Sequence, residues 1–543
     1  MLATSIQAEQ LGERIGIQTD CGRTAWIEGI SNWPRTTKDL ATRAAVFAAL
    51  KRRSAEFPTS AEFSRIAELE HVVAPLLRAE TDVEKESYEQ VCWRGNPWSQ
   101  LNSLPFALVI LAFYKSWCLP ILTICMPIFL VIASYILMAQ MMPGLGERLS
   151  LLQFLKLVWG MWMGGTMGGG SSGIPGLPIA QETSDAMSSI KKLAQFGSIA
   201  FTVGQSLWTP IQQARHFRKL DVDCTRIGAA IVELEQKGIE WCRSWRGWWP
   251  RWSEKWLASS ESDGDARRAF AFAIETPFWL KHVLRCFGRF ETLICLARSE
   301  ETSAIQVLSG PAPQFFHTAL YDPSIGAARA VKSSISLGHS GAAQHAVVTG
   351  PNRGGKSSSL RAALTAVVLG HTYGAAFTDG LRGRAAMTRF SWIGDGLRLE
   401  DSPGKTSMFE REVAFAKTCL DSHAGYGFIV YDECFHSTNP TDSERTSTLF
   451  CSRLWRDTRC LSILSTHLYS LAEKAPSAEV QKLCVPAKRL PAAQFQFSYK
   501  LSPGICKVSS VDGLLDSYGF FAKSPRNLES KENPPVKKNE YIE

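Results

Sequence analysis

The chain has 543 residues, more than one hydrophobic core holds, so two or three structural units are expected. Hydrophobic residues make up 45% and charged residues 20%, which excludes a wholly disordered chain. The formal charge of +8 suits nucleic acid or an anionic membrane surface without choosing between them, and the 14 cysteines include no CxxC pair that would suggest a zinc site or a disulfide framework.

In chain order, residues 1–20 carry Glu9, Glu13, Arg14 and Asp20 and no apolar core segment, so no signal peptide is expected. Residues 22–95 read as a small helical bundle. Asp39 to Leu50 and Ser60 to Leu77 repeat apolar positions at three- and four-residue spacing, with Pro58 between them. Leu104 to Met142 then runs 39 residues with one charge, Lys115, and Trp117 to Ala139 is 23 residues without any. That length suffices to cross a bilayer; the rival is a buried helical hairpin in a soluble core. The second span of a membrane hairpin is sought either at about Trp98 to Tyr114, giving a tight turn, or at Leu149 to Met163, which Lys156 interrupts. An even number of crossings is required if residues 1–95 share a side with the C-terminal half.

Met163 to Gly176 is glycine-rich, but it follows an apolar run and lacks a Lys behind it, so it reads as a hinge. Residues 180–300 read as helical again. Six tryptophans lie between Trp241 and Trp256, interleaved with Arg243, Arg246, Arg251 and Lys255. An interfacial amphipathic segment, a stacking surface for nucleic acid and a packed helix end all fit this pattern. From Ala346 short apolar strands alternate with helices, the mark of an α/β unit. After Phe521 a charged, Pro-containing tail is expected to be disordered.

Three motifs carry chemistry. Ala346 to Thr349 is a short strand running into Gly350-Pro351-Asn352-Arg353-Gly354-Gly355-Lys356-Ser357, followed by a predicted helix from Ser358 to about Gly370. This fits G-x-x-x-x-G-K-S in its required strand–loop–helix setting. The glycines let backbone N–H groups turn toward phosphate oxygens, and the helix start adds positive potential. Lys356 supplies a cation for the β- and γ-phosphates of ATP, and Ser357 a hydroxyl ligand for Mg²⁺. Gly427 to Glu433 is an apolar strand ending in two acids: Asp432 to hold Mg²⁺, Glu433 to accept a proton from the attacking water. Leu461 to His467 is the next strand, and His467 is placed to sense the γ-phosphate.

These residues resemble the MutS family of mismatch-repair ATPases. GPNRGGKS is similar to the family's GPNMGGKS-T loop, with Arg353 for Met and Ser358 for Thr. The resemblance places Ser358 with Gly350, Pro351, Asn352, Gly354, Gly355, Lys356 and Ser357 around the nucleotide. Arg389 to Phe409 resembles the stretch leading into S-x-F-x-x-E, with Ser407, Phe409 and Glu412 on its positions. In the family this segment reaches the nucleotide of the opposite subunit, so Ser407 and a composite dimeric site are implied. His436 to Pro440 resembles the loop after the acids, with Ser437 for a glycine; Ser465-Thr466-His467 matches A/S-T-H. Phe497 to Gly519 resembles the closing strand and helix, and Phe290 to Glu300 the end of the lever helices. Tyr321-Asp322-Pro323 departs from the family's His-Pro.

The implied fold is an α/β P-loop NTPase domain of the ABC/MutS type joined to a mostly helical lever domain carrying a transmembrane hairpin. The expected parts are 1–95 (helical), 98–163 (membrane insertion), 164–300 (levers), 301–521 (ATPase) and 522–543 (tail). The family's mismatch-reading domain and C-terminal dimerisation extension are not visible. Three functions follow. The first is an Mg²⁺-dependent, dimeric ATPase acting on double-stranded DNA, as a homodimer or with a related subunit. The second is a membrane-anchored ATP-driven switch without DNA, its ATPase facing the cytosol; a soluble form suggests the nucleus. The third, an ABC transporter, is disfavoured because Asp421-Ser422-His423-Ala424-Gly425 stands where an LSGGQ-like segment would precede Asp432.

Overall fold

The computed structural model describes residues 2–78, 82–95, 97–141, 150–162, 185–245, 263–399, 407–422, 424–489, 495–508 and 515. The glycine-rich stretch, most of the Trp run and the charged tail lie outside them.

The elements used below are, in chain order, helices α1 (Asp20–Ile30), α2 (Thr37–Arg52), α3 (Ser60–Arg78), α4 (Pro105–Phe113), α5 (Leu119–Met141), α6 (Leu151–Trp162), α7 (Asp185–Ser244), α8 (Ala266–Glu275) and α9 (Pro277–Arg298). Then come strands β1 (Thr302–Ala304), β2 (Gln306–Val307), β3 (Phe315–Leu320), β4 (Ser333–Leu337) and β5 (His345–Thr349), helix α10 (Lys356–Tyr373), and strands β6 (Ala375–Phe377), β7 (Ala385–Met387) and β8 (Trp392–Gly396). The chain continues with α11 (Met408–Asp421), β9 (Gly427–Tyr431), α12 (Pro440–Leu454), β10 (Cys460–Ser465), α13 (Tyr469–Lys474), β11 (Val480–Cys484), β12 (Ala487–Arg489), β13 (Phe495–Phe497) and β14 (Ser502–Pro503).

Two compact units form: residues 1–64 with 287–543, and residues 65–286. The expected 1–95 segment is therefore divided between them.

The first unit is built on a six-stranded sheet ordered β14-β11-β5-β10-β9-β8, parallel except for β14. Its central strands β5, β9 and β10 are buried at every position, which explains why they read as continuous apolar runs. A smaller sheet, β2-β7-β3-β4, stands beside it. The N-terminal helices belong to this unit. Thr36 and Asp39 form a capping box that starts α2. Where α2 meets the end of α10, Gly374 ends the helix at φ 70°, and a Cβ there would sit 2.5 Å from the backbone of Arg43 and Ala44. Only glycine satisfies both demands. Trp26 stacks on Tyr373 at 5.1 Å, and the Tyr373 hydroxyl donates to the Trp26 carbonyl.

Three buried histidines brace this unit. His317 Nε2 lies 3.0 Å from the Phe377 carbonyl, and His345 Nδ1 lies 2.9 Å from Ser462 Oγ. His371 accepts the Phe390 backbone N–H at Nε2 and stacks on Trp33 and Phe390. Burial pushes His317 and His345 down to about 4 and His371 to about 3. All three are thus neutral in the folded unit while the unfolded chain takes up protons below about pH 6.5. Unfolding then binds protons, so stability falls as pH drops from about 6.5 toward 4, by up to about 1.4 kcal/mol per pH unit for each histidine. Thermal melts from pH 7.5 to 5 are expected to show a steep fall in Tm; a flat profile contradicts this.

In the second unit, Trp241 and Trp279 are fully buried and α7 packs along α8. Trp241 meets Trp245 edge-on at 5.7 Å, so these two members of the Trp run form a packed helix end. The tight hairpin between about Trp98–Tyr114 and the apolar run does not form. A 3₁₀ segment covers Trp98–Ser103, and α4 continues through a π-turn at Tyr114–Cys118 into α5. The physical reason is Pro120. It has no N–H to give the Ser116 carbonyl and its ring crowds that carbonyl, so the helix widens by one residue instead of reversing. Arg218 Nη2 donates to the orphaned Ser116 oxygen at 3.1 Å. The other candidate partner, Leu149 to Met163, contains α6, whose Phe154 packs on Tyr135 of α5 at 5.4 Å.

Candidate functional site

The site lies at the carboxyl ends of the parallel strands, where open α/β sheets bind ligands. Strand β5 delivers the loop from Gly350 to Gly355, and α10 begins at Lys356. The turn needs left-handed backbone: Gly350 and Gly355 have φ of 154° and 101°, and Arg353 adopts 63°. A Cβ at Gly350 would meet the carbonyl of Val485, just after β11, at 3.0 Å, so the loop also packs tightly there.

Lys356 is buried. Its ammonium donates to the carbonyls of Gly350 at 3.0 Å and Pro351 at 3.3 Å, and lies 3.2 Å from His467 Nε2. Burial lowers its pKa, opposed by the charges of Glu433 and Asp432.

The two acids follow β9, next to β10 in the sheet. Ser465, the last residue of β10, holds both: its hydroxyl donates to Asp432 Oδ1 and accepts the Glu433 backbone N–H at 2.8 Å. Glu433 sits at φ 50°, a strained conformation for a non-glycine residue. Its Oε1 is 3.1 Å from His467 Nε2. Hydrogen bonding to His467 holds the Glu433 carboxyl below the usual range against the opposing effect of burial. One nitrogen of His467 thus faces an ammonium and a carboxylate. Protonated, it donates to Glu433; deprotonated, it accepts from Lys356.

A cavity of about 390 Å³ opens over the loop. Pro351, Asn352, Gly354, Gly355, Lys356, Ser357, Ser358 and Glu433 line it, so the structure brings these sequence-derived residues together. Gly350 lies just behind as a backbone carbonyl to Lys356. Asp432 and His467 join through Ser465 and Glu433. Ser407 is elsewhere. It is exposed and caps α11, its hydroxyl accepting the Glu410 N–H at 3.2 Å. The buried Glu412 ties α11 to the turn after the acids, accepting from the Ser437 hydroxyl and lying 3.1 Å from His436 Nδ1.

The sequence reading missed Tyr499, Asp322 and Arg361. Tyr499 has φ 53° and stands over the loop, 3.4 Å from where a Gly355 Cβ would be. With Tyr321, Ile325 and Val331 it gives the cavity an apolar, aromatic end. The buried Asp322 pairs with Arg361 of α10 at 2.9 Å, fixing the upstream loop against that helix. An aromatic residue just after a closing strand was the available signal for Tyr499. Nothing local marks Asp322, whose partner is 39 residues away.

Chemically, the cavity offers backbone N–H groups at a helix start, a buried cation, an aromatic wall and an ionised carboxylate. Ser357 and Asp432 are hard oxygen donors of the kind Mg²⁺ takes. Among the described residues no group of three or more His, Cys, Asp or Glu could hold a metal.

A parallel sheet with this loop, this acid pair and this histidine defines the class to which residues 346–514 match: the family described as MutS domain V. The chain is 23% identical over 271 residues to DNA mismatch repair protein MSH6 of Arabidopsis thaliana, covering 47% of this chain and 19% of that protein. It is 24% identical over 164 residues to DNA mismatch repair protein spellchecker 1 of Drosophila melanogaster, covering 30% and 17%. It is 30% identical over 129 residues to DNA mismatch repair protein MSH3 of Pyricularia oryzae, covering 24% and 11%. Residues 346–514 thus carry a MutS domain V, and the chain spans less than a fifth of the length of each relative it matches.

Proposed function

We propose that this chain binds and hydrolyses ATP in a P-loop site and uses the nucleotide to gate a dimer that acts on DNA. The observation that carries the reading is the convergence of Lys356, Glu433 and His467 within 3.2 Å at the lip of the loop cavity. In this reading the loop N–H groups and Lys356 hold the phosphates, Ser357 and Ser358 face them, and Tyr499 covers the base. Ser357 and Asp432 would hold Mg²⁺, which offsets phosphate charge when bound. Glu433 takes the proton of the attacking water, and His467 keeps that carboxylate ionised and oriented.

DNA enters from the relatives, each named a DNA mismatch repair protein. Phosphate release by the full chain with and without chelator tests the ATPase part, and duplex binding at two salt concentrations tests the DNA part. Salt-sensitive binding is expected. In this reading Ser407, exposed at the tip of α11, serves the dimer by reaching a second subunit's nucleotide. Ser407→Ala is expected to lower turnover several-fold and, as a lost helix cap, to cost about 1 kcal/mol of stability. Mixing it with wild-type subunits separates the effects: if activity falls only in proportion to the mutant fraction, Ser407 does not serve the opposite site.

The membrane-anchored switch is the second reading, favoured by one observation. The helix from Phe106 to Leu137 is long and apolar enough to cross a bilayer, and its most apolar window has nothing buried. In that reading the ATPase faces the cytosol.

A further inference from the structure

We propose that the chain crosses a lipid bilayer twice, outward through residues 119–137 of α5 and back through about residues 197–214 of α7. This rests on the membrane reading above but names a return path that lies in the long helix and outside the apolar block.

The outward segment leaves the protein abruptly. Up to the π-turn one face of the helix is covered, with Ala107, Leu108, Leu111, Ala112 and Ser116 buried. None of the side chains described from Leu119 to Leu137 is buried, and Ile121, Phe129 and Leu137 on different faces are each more than half exposed. A soluble core helix would be covered, and a signal sequence would lie near the N-terminus. The 19 residues rise about 29 Å, matching a hydrocarbon core of about 30 Å. The two aliphatic hydroxyls in this segment are satisfied within the helix: Thr123 donates to the Leu119 carbonyl and Ser134 to the Leu130 carbonyl, each at 2.8 Å. That is what a medium without water demands.

The return is set by register. Arg218 reaches the Ser116 carbonyl and stacks its guanidinium on Trp117 at 4.0 Å, while the Lys115 ammonium lies over Phe217 at 5.6 Å. The two helices pack side by side; because charges resume on α7 from Arg215 onward, the return crossing is assigned antiparallel to α5, which puts the turn opposite Leu137 near residue 197. Charges stop on both helices at this level. The last before the outward segment is Lys115, and on α7 the 22 residues from Leu193 to Ala214 carry none, whereas Arg215, Arg218 and Lys219 follow at once. Its Gln, Ser and Thr residues are uncharged and suit helix–helix contact within a bilayer, and α7 packs against α5. Cations with Trp117 and Tyr114 at one level form a headgroup belt, and their positive charge puts that end on the cytosolic side.

The test uses the full-length chain in cell membranes washed with alkaline carbonate. Recovery in the supernatant overturns bilayer anchorage altogether, and points to a soluble partner for the apolar helix. In pelleted protein, Ser206→Cys and the control Lys219→Cys are treated with a membrane-impermeant maleimide before and after detergent. The proposal expects Ser206→Cys, like the native Cys125, to react at least about tenfold less than Lys219→Cys until detergent is added, because thiolate chemistry needs water. Equal reaction at both introduced positions in pelleted protein overturns the second crossing alone. Gln205→Cys gives the same reading if Ser206→Cys is poorly produced.

Discussion

Glu433→Gln is expected to leave ATP bound and to slow turnover by about a hundred- to ten-thousand-fold, the range for removing a positioned general base. The amide keeps the shape and can still accept from His467, so binding is spared while the proton acceptor is lost. The pH profile adds a sign. His467 favours the ionised form of Glu433 and holds its pKa below the usual carboxylate range. Turnover of the wild type should therefore persist as pH falls toward the ordinary carboxylate range. In His467→Ala the Glu433 pKa rises, less of the base is ionised at a given acidic pH, and the acid limb of kcat moves to higher pH. Single-turnover rates across pH 5 to 8 read both effects. Unchanged turnover in Glu433→Gln, or an acid limb unmoved by His467→Ala, removes Glu433 from the reaction.

Lys356→Ala is expected to weaken ATP binding by about ten- to more than a hundredfold, the worth of a hydrogen bond to a charged group. The cation is already desolvated and aimed at the loop, so its contact with phosphate is made in low dielectric. It also holds the Gly350 and Pro351 carbonyls, so the loop itself could loosen. A melting temperature within a few degrees of wild type, alongside lost affinity, assigns the effect to the nucleotide. Equal affinity in a folded variant contradicts the role of Lys356.

The parts of this architecture that were legible share one property: their signal is local. Gly350 to Ser357 is contiguous, and the acids and His467 close apolar runs that could only be buried parallel strands. What was not legible depends on residues distant in sequence. Ser465 bridges Asp432 and Glu433 because β9 and β10 are neighbours, an adjacency no spacing announces. Asp322 is explained only by Arg361, and Tyr499 only by its height over Gly355. Helix α2 read as amphipathic and most of α1 fell in a stretch read as helical, yet nothing in them declared that they would pack with α10 through Trp26 and Gly374. The apolar block shows the same limit from the other side. Its length was plain, but the turn expected near Tyr114 was decided by Pro120 and by Arg218, 98 residues beyond it. The likeness to MutS proteins is what singled out Ser407, whose place at the tip of α11 carries no chemistry within a single chain.

Of the seven non-glycine residues with positive φ among the described residues, four (Arg353, Glu433, Phe435 and Tyr499) lie in the loop, the acid turn or the cavity wall, while Gln7, Asp263 and Ser340 lie elsewhere. Such conformations cost about 1–3 kcal/mol each and persist where the surrounding structure imposes them.

The most direct test of the central claim is calorimetric titration of the purified full-length chain with ATP, with and without Mg²⁺. A triphosphate seated on the start of α10, with Ser357 and Asp432 holding its metal, predicts saturable binding that strengthens when Mg²⁺ is present. No heat of binding with any nucleoside triphosphate, or an affinity indifferent to Mg²⁺, would contradict it.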